Sequence, residues 1–240
     1  IKDEIKSSLL MINLDISKSK IEELVHQEDD DKKIDLTIDN KKFSGKLRLT
    51  KNSQSCPGDY SFSLSLDEPY SGHKEYILEN FSCNNYFDTQ ISQEISKQLN
   101  LLTPHSSLIT LNRDGDGLGT YYLVISNEDK SFFETQSRTF DTEIYEKITS
   151  EDSLNISSWK KKSTDPRLAE NSYQLLEKLI SLIKDDPELG AKYFDKNNLV
   201  NYYHYLLAIG NYDPNYLLYF NNTSGRFEFI TNNFNLNLLE

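Results

Sequence analysis

The sequence predicts an α+β protein, because strand signals crowd its first half, helical spacing dominates its second, and no strand–helix–strand alternation joins them. With 240 residues the chain has room for one or two domains, and at 27.9 kDa it can bury roughly 70–75% of its unfolded surface. Mean hydropathy is −0.63, and no apolar run approaches the ~20 residues a spanning helix needs, so no membrane span is expected. The 38 acidic residues against 26 basic ones leave a net charge of −12. That charge repels phosphate backbones, and Lys160 to Lys162 is one short basic run, so no nucleic-acid partner is expected. The chain opens at Ile1 without Met, which suits a protein whose leader has been removed, while a cytoplasmic setting stays open.

In chain order, branched and aromatic residues bounded by Gly, Asp, Asn and Pro predict strands at 9–15, 34–38, 42–49, 60–67, 75–81, 107–112 and 120–126. A helix is expected at 20–27, where Ser19 and Glu22 have capping-box spacing. A second follows Asp88 and carries Ile91, Ile95 and Leu99 as one apolar stripe for the sheet. Cys56 and Cys83 flank the two runs around the turn at 68–72. Antiparallel pairing there puts positions that sum to 139 opposite each other, which would bring the thiols face to face. A bridge would add ~3–4 kcal/mol and imply an oxidising compartment; two reduced thiols in the cytosol are the alternative.

The second half reads as helical. Asp165-Pro166 is a start signal for a helix with Leu168, Leu175, Leu176, Leu179, Leu182 and Ile183, and Asp186-Pro187 starts a short one. Asp195 caps a third, with Leu199, Val200, Tyr203, Leu206 and Leu207 on one face and Gly210 as its stop. A hairpin at 215–220 and 226–231 closes the order, and the polar segment 137–163 reads as a connection or an exposed insertion. The expected division is a strand-rich region over 1–129 and a mainly helical one over 130–240.

Several stretches have the look of sites. Asn112-Arg113-Asp114-Gly115-Asp116-Gly117 resembles the start of a calcium loop, yet Leu123 stands where a bidentate carboxylate belongs, so a hairpin turn on Asp-Gly explains it better. His26, His73, His105 and His204 are scattered and form no metal or triad motif. Glycosylation triplets begin at Asn80, Asn155, Asn221 and Asn222, as an Asn-rich chain produces by chance. The richest stretch runs from Gly210 through Asp213 and Asn215, then from Arg226 to Asn235. A helix stop, an Asp/Asn loop and a hairpin ending in oxygen side chains is the arrangement phosphoryl transfer uses, although the same residues also build ordinary turns.

The order of segments resembles the CotH family of spore-coat, kinase-like proteins over nearly the whole chain. Met11 to Asp15 with the helix after it resembles the family's first strand and helix. Lys46-Leu47-Arg48-Leu49-Thr50-Lys51-Asn52-Ser53 resembles its R-x-K-G-N-S strand and loop, and Tyr60-Ser61-Phe62 with Leu66-Asp67 its next strand. Residues 88–101, Pro104, Asn112, Gly119 and Tyr121 are similar to its helix, its proline and its N-G…G-x-Y hairpin. Tyr193-Phe194-Asp195, Gly210-Asn211-x-Asp213, Asn215-Tyr216 and Tyr219 are similar to its Y-F-D and G-N-x-D…N-Y elements.

The resemblance implies a two-lobed protein-kinase-like fold, an ATP site with Mg or Mn, and Ser/Thr phosphorylation. It further implies Arg48, Lys51 and Asn52 as nucleotide contacts, Asp213 as the catalytic carboxylate, and Asn215, Asn233 and Asn235 as metal-binding positions. Departures fall where the chemistry belongs. The phosphate-gripping lysine falls at Ser63 or Ser65, the acidic residue after the G-x-Y strand at Ile125, and the terminal W-D-x-D becomes Asn232-Asn233-Phe234-Asn235. Three readings follow. One is a pseudokinase without cofactor that binds a coat or surface protein at a spore or cell surface. The second is an active kinase in which Asp213 orients the acceptor hydroxyl. The third is an unrelated acidic surface domain.

Overall fold

The computed structural model describes residues 9–26, 31–52, 60–80, 86–114, 116–125, 130–148, 152–162, 173–210 and 217–231. The chain forms two compact units, one of Ile1–Tyr86 and His105–Phe132, the other of Phe87–Pro104 and Phe133–Glu240. Strands and helices both contribute throughout, which makes the protein α+β.

The first unit is a closed barrel of β1 (Leu10–Asp15), β2 (Lys32–Ile38), β3 (Lys41–Asn52), β4 (Tyr60–Tyr70), β5 (His73–Asn80), β6 (Ser106–Arg113) and β7 (Asp116–Ile125). Its order is β1-β2-β3-β4-β5-β7-β6, and β6 returns to pair with β1 in parallel, Ile12 beside Leu111. Closure leaves no exposed sheet edge. Alternation in the sequence produces the interior directly: Ile12 and Leu14, Leu36 and Ile38, Phe62 and Leu64, and Ile109 and Leu111 are all at most 2% exposed. Residues of positive φ make the tight turns, Asp39 and Asn40 between β2 and β3, Ser71 and Gly72 between β4 and β5. At Gly45 the neighbouring strand comes so close that a Cβ would collide with the Ser65 carbonyl.

Helix α1 (Lys18–His26) packs against β3 and buries Ile21 and Leu24. Its cap is Ser17 rather than Ser19, with the Ser17 Oγ accepting from the Lys20 N–H at 3.4 Å, because the helix starts earlier than the capping box suggested. In the β4–β5 hairpin, Phe62 faces Leu78 and Ser65 faces Glu75, so paired numbers sum to 140 rather than 139. An irregularity between Ser65 and Tyr70 shifts the register, and one residue of slip reverses the faces. Cys56 and Cys83 lie outside the described residues.

The second unit has a four-stranded sheet ordered β11-β10-β8-β9, made of β8 (Ile144–Lys147), β9 (Trp159–Lys161), β10 (Leu217–Asn221) and β11 (Arg226–Ile230). Its helices are α2 (Tyr86–Gln98), α4 (Gln174–Asp185), α5 (Pro187–Ala191) and α6 (Lys196–Ile209); the chain passes from one unit to the other within α3 (Lys130–Thr135). Asp186 and Asp195 cap α5 and α6 by accepting from the Leu189 and Asn198 N–H groups at 3.0 and 2.9 Å. Gly210 ends α6 in the left-handed region, φ 65°.

Four expectations are corrected here. The segment 137–163 supplies two sheet strands, with Tyr145 fully buried and Trp159 at 6%, and strands of three and four residues are too short to show a period. On α2, Ile95 and Leu99 of the expected stripe pack against the core of the second unit, but Ile91 is 44% exposed and the fully buried positions are Ser92 and Ser96. On α6 the inward face is Asn198, Tyr202, Tyr205 and Ile209, with Leu199 and Leu206 partly buried and Val200, Tyr203 and Leu207 exposed, the orientation that lets Asn198 bond the Phe229 backbone. Helix α4 begins only at Gln174, and Asp165-Pro166 lies outside the described residues.

Candidate functional site

Asp213, Asn215, Asn233 and Asn235 lie outside the described residues; the nearest described strands are β10 after the first pair and β11 before the second. Leu217 opens β10 and Ile230 closes β11, and the two are partners on one rung. The segment carrying Asp213 and Asn215 therefore enters the hairpin at the end from which the segment carrying Asn233 and Asn235 leaves. Thr231 holds that exit. Its N–H donates to the Leu102 carbonyl at 2.9 Å, and its hydroxyl joins those of Thr103 and Ser96 at 3.0 and 3.1 Å in a buried cluster. Asn198 clamps the same strand, accepting from the Phe229 N–H at 2.6 Å and donating to its carbonyl at 3.1 Å. The polar inward faces of α2 and α6 serve this anchoring. Asp195 of the Tyr193-Phe194-Asp195 segment spends its carboxylate on the helix cap.

Arg48, Lys51 and Asn52 all lie on β3, opposite Ser63, Ser61 and Tyr60 of β4, with a register shift between Leu49 and Lys51. The Arg48 guanidinium is exposed and stands 3.9 Å from the Asp31 carboxylate. Where a phosphate-gripping lysine was expected, the Ser65 hydroxyl instead donates to Glu75 at 2.6 Å. Across the β3–β4 pair, Arg48 stands opposite Ser63 and Lys46 opposite Ser65.

The sequence reading missed two charged pairs in the second unit. The Arg138 guanidinium donates through Nε and one Nη to a single Glu228 oxygen at 2.9 and 2.8 Å, and the Asn221 amide donates to the other at 2.6 Å. The Lys161 ammonium meets the Glu143 carboxylate at 3.3 Å, with the lysine side chain 4% and the glutamate side chain 11% exposed. Lys161 sits opposite Tyr145 across β8 and β9, and neither the second Glu143 oxygen nor the Tyr145 hydroxyl has a hydrogen-bond partner among the described residues. Short strands of polar composition gave no signal for these pairs. Burial pushes the Tyr205 phenol up, opposed by its hydrogen bond with Ser92; burial also raises Tyr219, against hydrogen bonds with Thr139.

Asn112 to Gly117 forms the β6–β7 turn, with Arg113 opposite Asp116, Asp114 at positive φ and the Asn112 amide donating to Asn13 at 2.9 Å. Among the described residues no group of three His, Cys, Asp or Glu could hold a metal ion. A groove of about 530 Å³ on the barrel is lined by Asp15, Asp35, Asp67 and Glu68, with Lys42 the one cation among its described lining residues, a charge balance that repels a triphosphate. Among the described residues no helix is long and apolar enough to cross a membrane. By sequence, neutral amides stand at the expected metal positions Asn215, Asn233 and Asn235, where magnesium favours carboxylates, while β3 offers Lys46, Arg48 and Lys51 as cations.

A family model described as CotH kinase protein matches residues 36–239. No curated protein matches the chain.

Proposed function

The chain belongs to the CotH family, and on that premise we propose that it is a catalytically degraded member, a pseudokinase that binds and helps assemble a coat or cell-surface protein. The observation that supports this reading is the amide content of the segments just before β10 and just after β11, strands whose facing ends Leu217 and Ile230 are partners. Each Asp-to-Asn replacement removes a full charge from a magnesium ligand, and neutralising phosphoryl charge is the metal's main contribution to transfer. The lysine position compounds the loss, because Ser65 already donates to Glu75. The net charge of −12 suits a protein partner and opposes a polyanionic one.

A second reading, Mg- or Mn-dependent Ser/Thr phosphorylation with Asp213 orienting the acceptor hydroxyl, has in its favour the family's description as kinases. Calorimetry with Mg-ATP and Mn-ATP, together with self-phosphorylation from labelled ATP, separates the two on the natural chain and on Asn233→Asp. The pseudokinase reading expects no turnover and weak or absent nucleotide binding. Micromolar binding with label incorporation by the natural chain overturns it.

A further inference from the structure

We propose that, in passage through a eukaryotic secretory lumen, Asn155 and Asn222 are the acceptor sites of this chain for N-linked glycans, and that the fold does not accommodate a glycan on Asn80 or Asn221. The four triplets are equivalent in sequence, each an Asn followed two residues later by Ser or Thr with no intervening Pro. The structure makes them unequal. Asn80 is 7% exposed at the end of β5, where its amide donates to the Tyr121 hydroxyl at 3.2 Å. Asn221 is 8% exposed and ends β10; its Nδ2 donates to the buried Glu228, and its Oδ1 accepts from the Thr223 and Ser224 N–H groups at 3.0 and 3.4 Å. A branched sugar on either nitrogen needs space that the packed sheet does not leave.

Asn155 and Asn222 are exposed, as are the hydroxyl residues of their triplets, Ser157 and Ser224. Asn155 caps a single 3₁₀ turn through its Oδ1, which accepts from the Ser157 N–H at 3.2 Å, so the cap leaves Nδ2 to the sugar. Asn222 lies at the tip of the β10–β11 hairpin, and its Nδ2 donates one hydrogen to the Asp141 carbonyl at 2.8 Å. A glycosylated amide keeps one hydrogen, so that bond survives modification. The donor required is a lipid-diphosphate-linked oligosaccharide of a eukaryotic secretory lumen. The Asn Nδ2 bonds to the sugar C1 as the C1–O bond to diphosphate breaks, one amide proton is lost, and the lipid diphosphate leaves.

The test is secretion of the whole chain behind a leader from yeast or insect cells, with peptide mapping after enzymatic deglycosylation in heavy-oxygen water. Two labelled sites are expected, Asn155 and Asn222. The overlapping triplets give a sharper control that keeps every Asn in place. Ser224→Ala destroys the Asn222 triplet and spares that of Asn221, while Thr223→Ala does the reverse. Loss of one glycan in Ser224→Ala, and its retention in Thr223→Ala, supports the assignment. The opposite pattern, an empty Asn155 or Asn222, or sugar on Asn80 or Asn221 in secreted protein, overturns it. Should secretion stall, the same variants translated with microsomes report occupancy by gel shift, and the same outcomes apply.

Discussion

In the barrel unit the largest fully buried side chains are Ile12, Leu14, Leu24, Ile38, Leu47, Phe62 and Leu64, all hydrocarbon. In the second unit the largest fully buried ones are Tyr145, Tyr205, Tyr219 and Phe133, set among Ser92, Ser96, Glu143, Lys147, Glu228 and Thr231. The barrel satisfies its backbone through a closed ladder, and its core is mostly hydrocarbon, with few buried polar groups such as Asn80 and Ser106. The second unit has a sheet of short strands, and it fixes their placement with specific polar partners such as Asn198 on Phe229 and the Ser96–Thr103–Thr231 hydroxyls. One unit therefore depends mainly on the amount of apolar surface removed from water, the other also on specific pairs between buried polar groups. Substitutions should separate the two modes.

The largest effect is expected where a buried charge loses its partner. Lys161→Met strands the Glu143 carboxylate and should cost about 3–5 kcal/mol, measured by urea unfolding. Replacing both residues by apolar ones of similar size should restore much of that loss. If the single change is as mild as the double one, the pair does not hold the sheet. Next comes a cavity in the barrel. Leu64→Ala should cost about 2–5 kcal/mol, with no rescue from any second polar change, since the loss is contact and volume alone.

The same contrast explains how much was legible in the sequence. Every barrel strand was expected, because alternation over six or more residues marks a half-buried strand clearly; Leu36 and Ile38 or Phe62 and Leu64 announce their own face. Closure was not, since a parallel contact between β1 and β6 joins positions some hundred residues apart and leaves no local trace. In the second unit the caps Asp186 and Asp195 and the stop at Gly210 were readable, being local chemistry. The faces of α2 and α6 were misread. Hydropathy ranks Ile91 above Ser92 and Leu207 above Tyr205, whereas hydrogen bonding reverses the first order and aromatic bulk the second. For the candidate site, the sequence supplied residue types and their order, and the structure adds that Leu217 and Ile230, the flanking strand residues, are partners on one rung.

A smaller effect attaches to Tyr205, whose phenol is buried and hydrogen-bonded with Ser92. Tyr205→Phe should cost about 1 kcal/mol near neutral pH by removing that bond. Its pKa is raised by burial, so the neutral phenol contributes its stability in full below pH ~10, where unfolded tyrosine is also protonated. As pH climbs beyond that, the unfolded chain ionises first and the contribution is lost. The variant should therefore show a shallower alkaline decline than the natural chain, with Tyr219 supplying a remainder of the same sign. Parallel alkaline limbs in the two proteins would count against a buried phenol at this position.

The smallest effect distinguishes the two helix faces directly. Leu207 is 62% exposed, and Leu207→Ser should change stability by no more than ~0.5 kcal/mol despite its place in the apolar periodicity. The neighbouring Tyr205→Ala, on the buried face, should cost several-fold more. Matched urea midpoints for the two variants would mean that α6 presents its aliphatic side inward, as hydropathy alone predicts. In that case the Asn198 clamp on Phe229, which requires the observed rotation of the helix, would also have to fail. A single pair of unfolding curves thus tests whether polar pairing or apolar periodicity orients this helix against the strand that leads to Asn233.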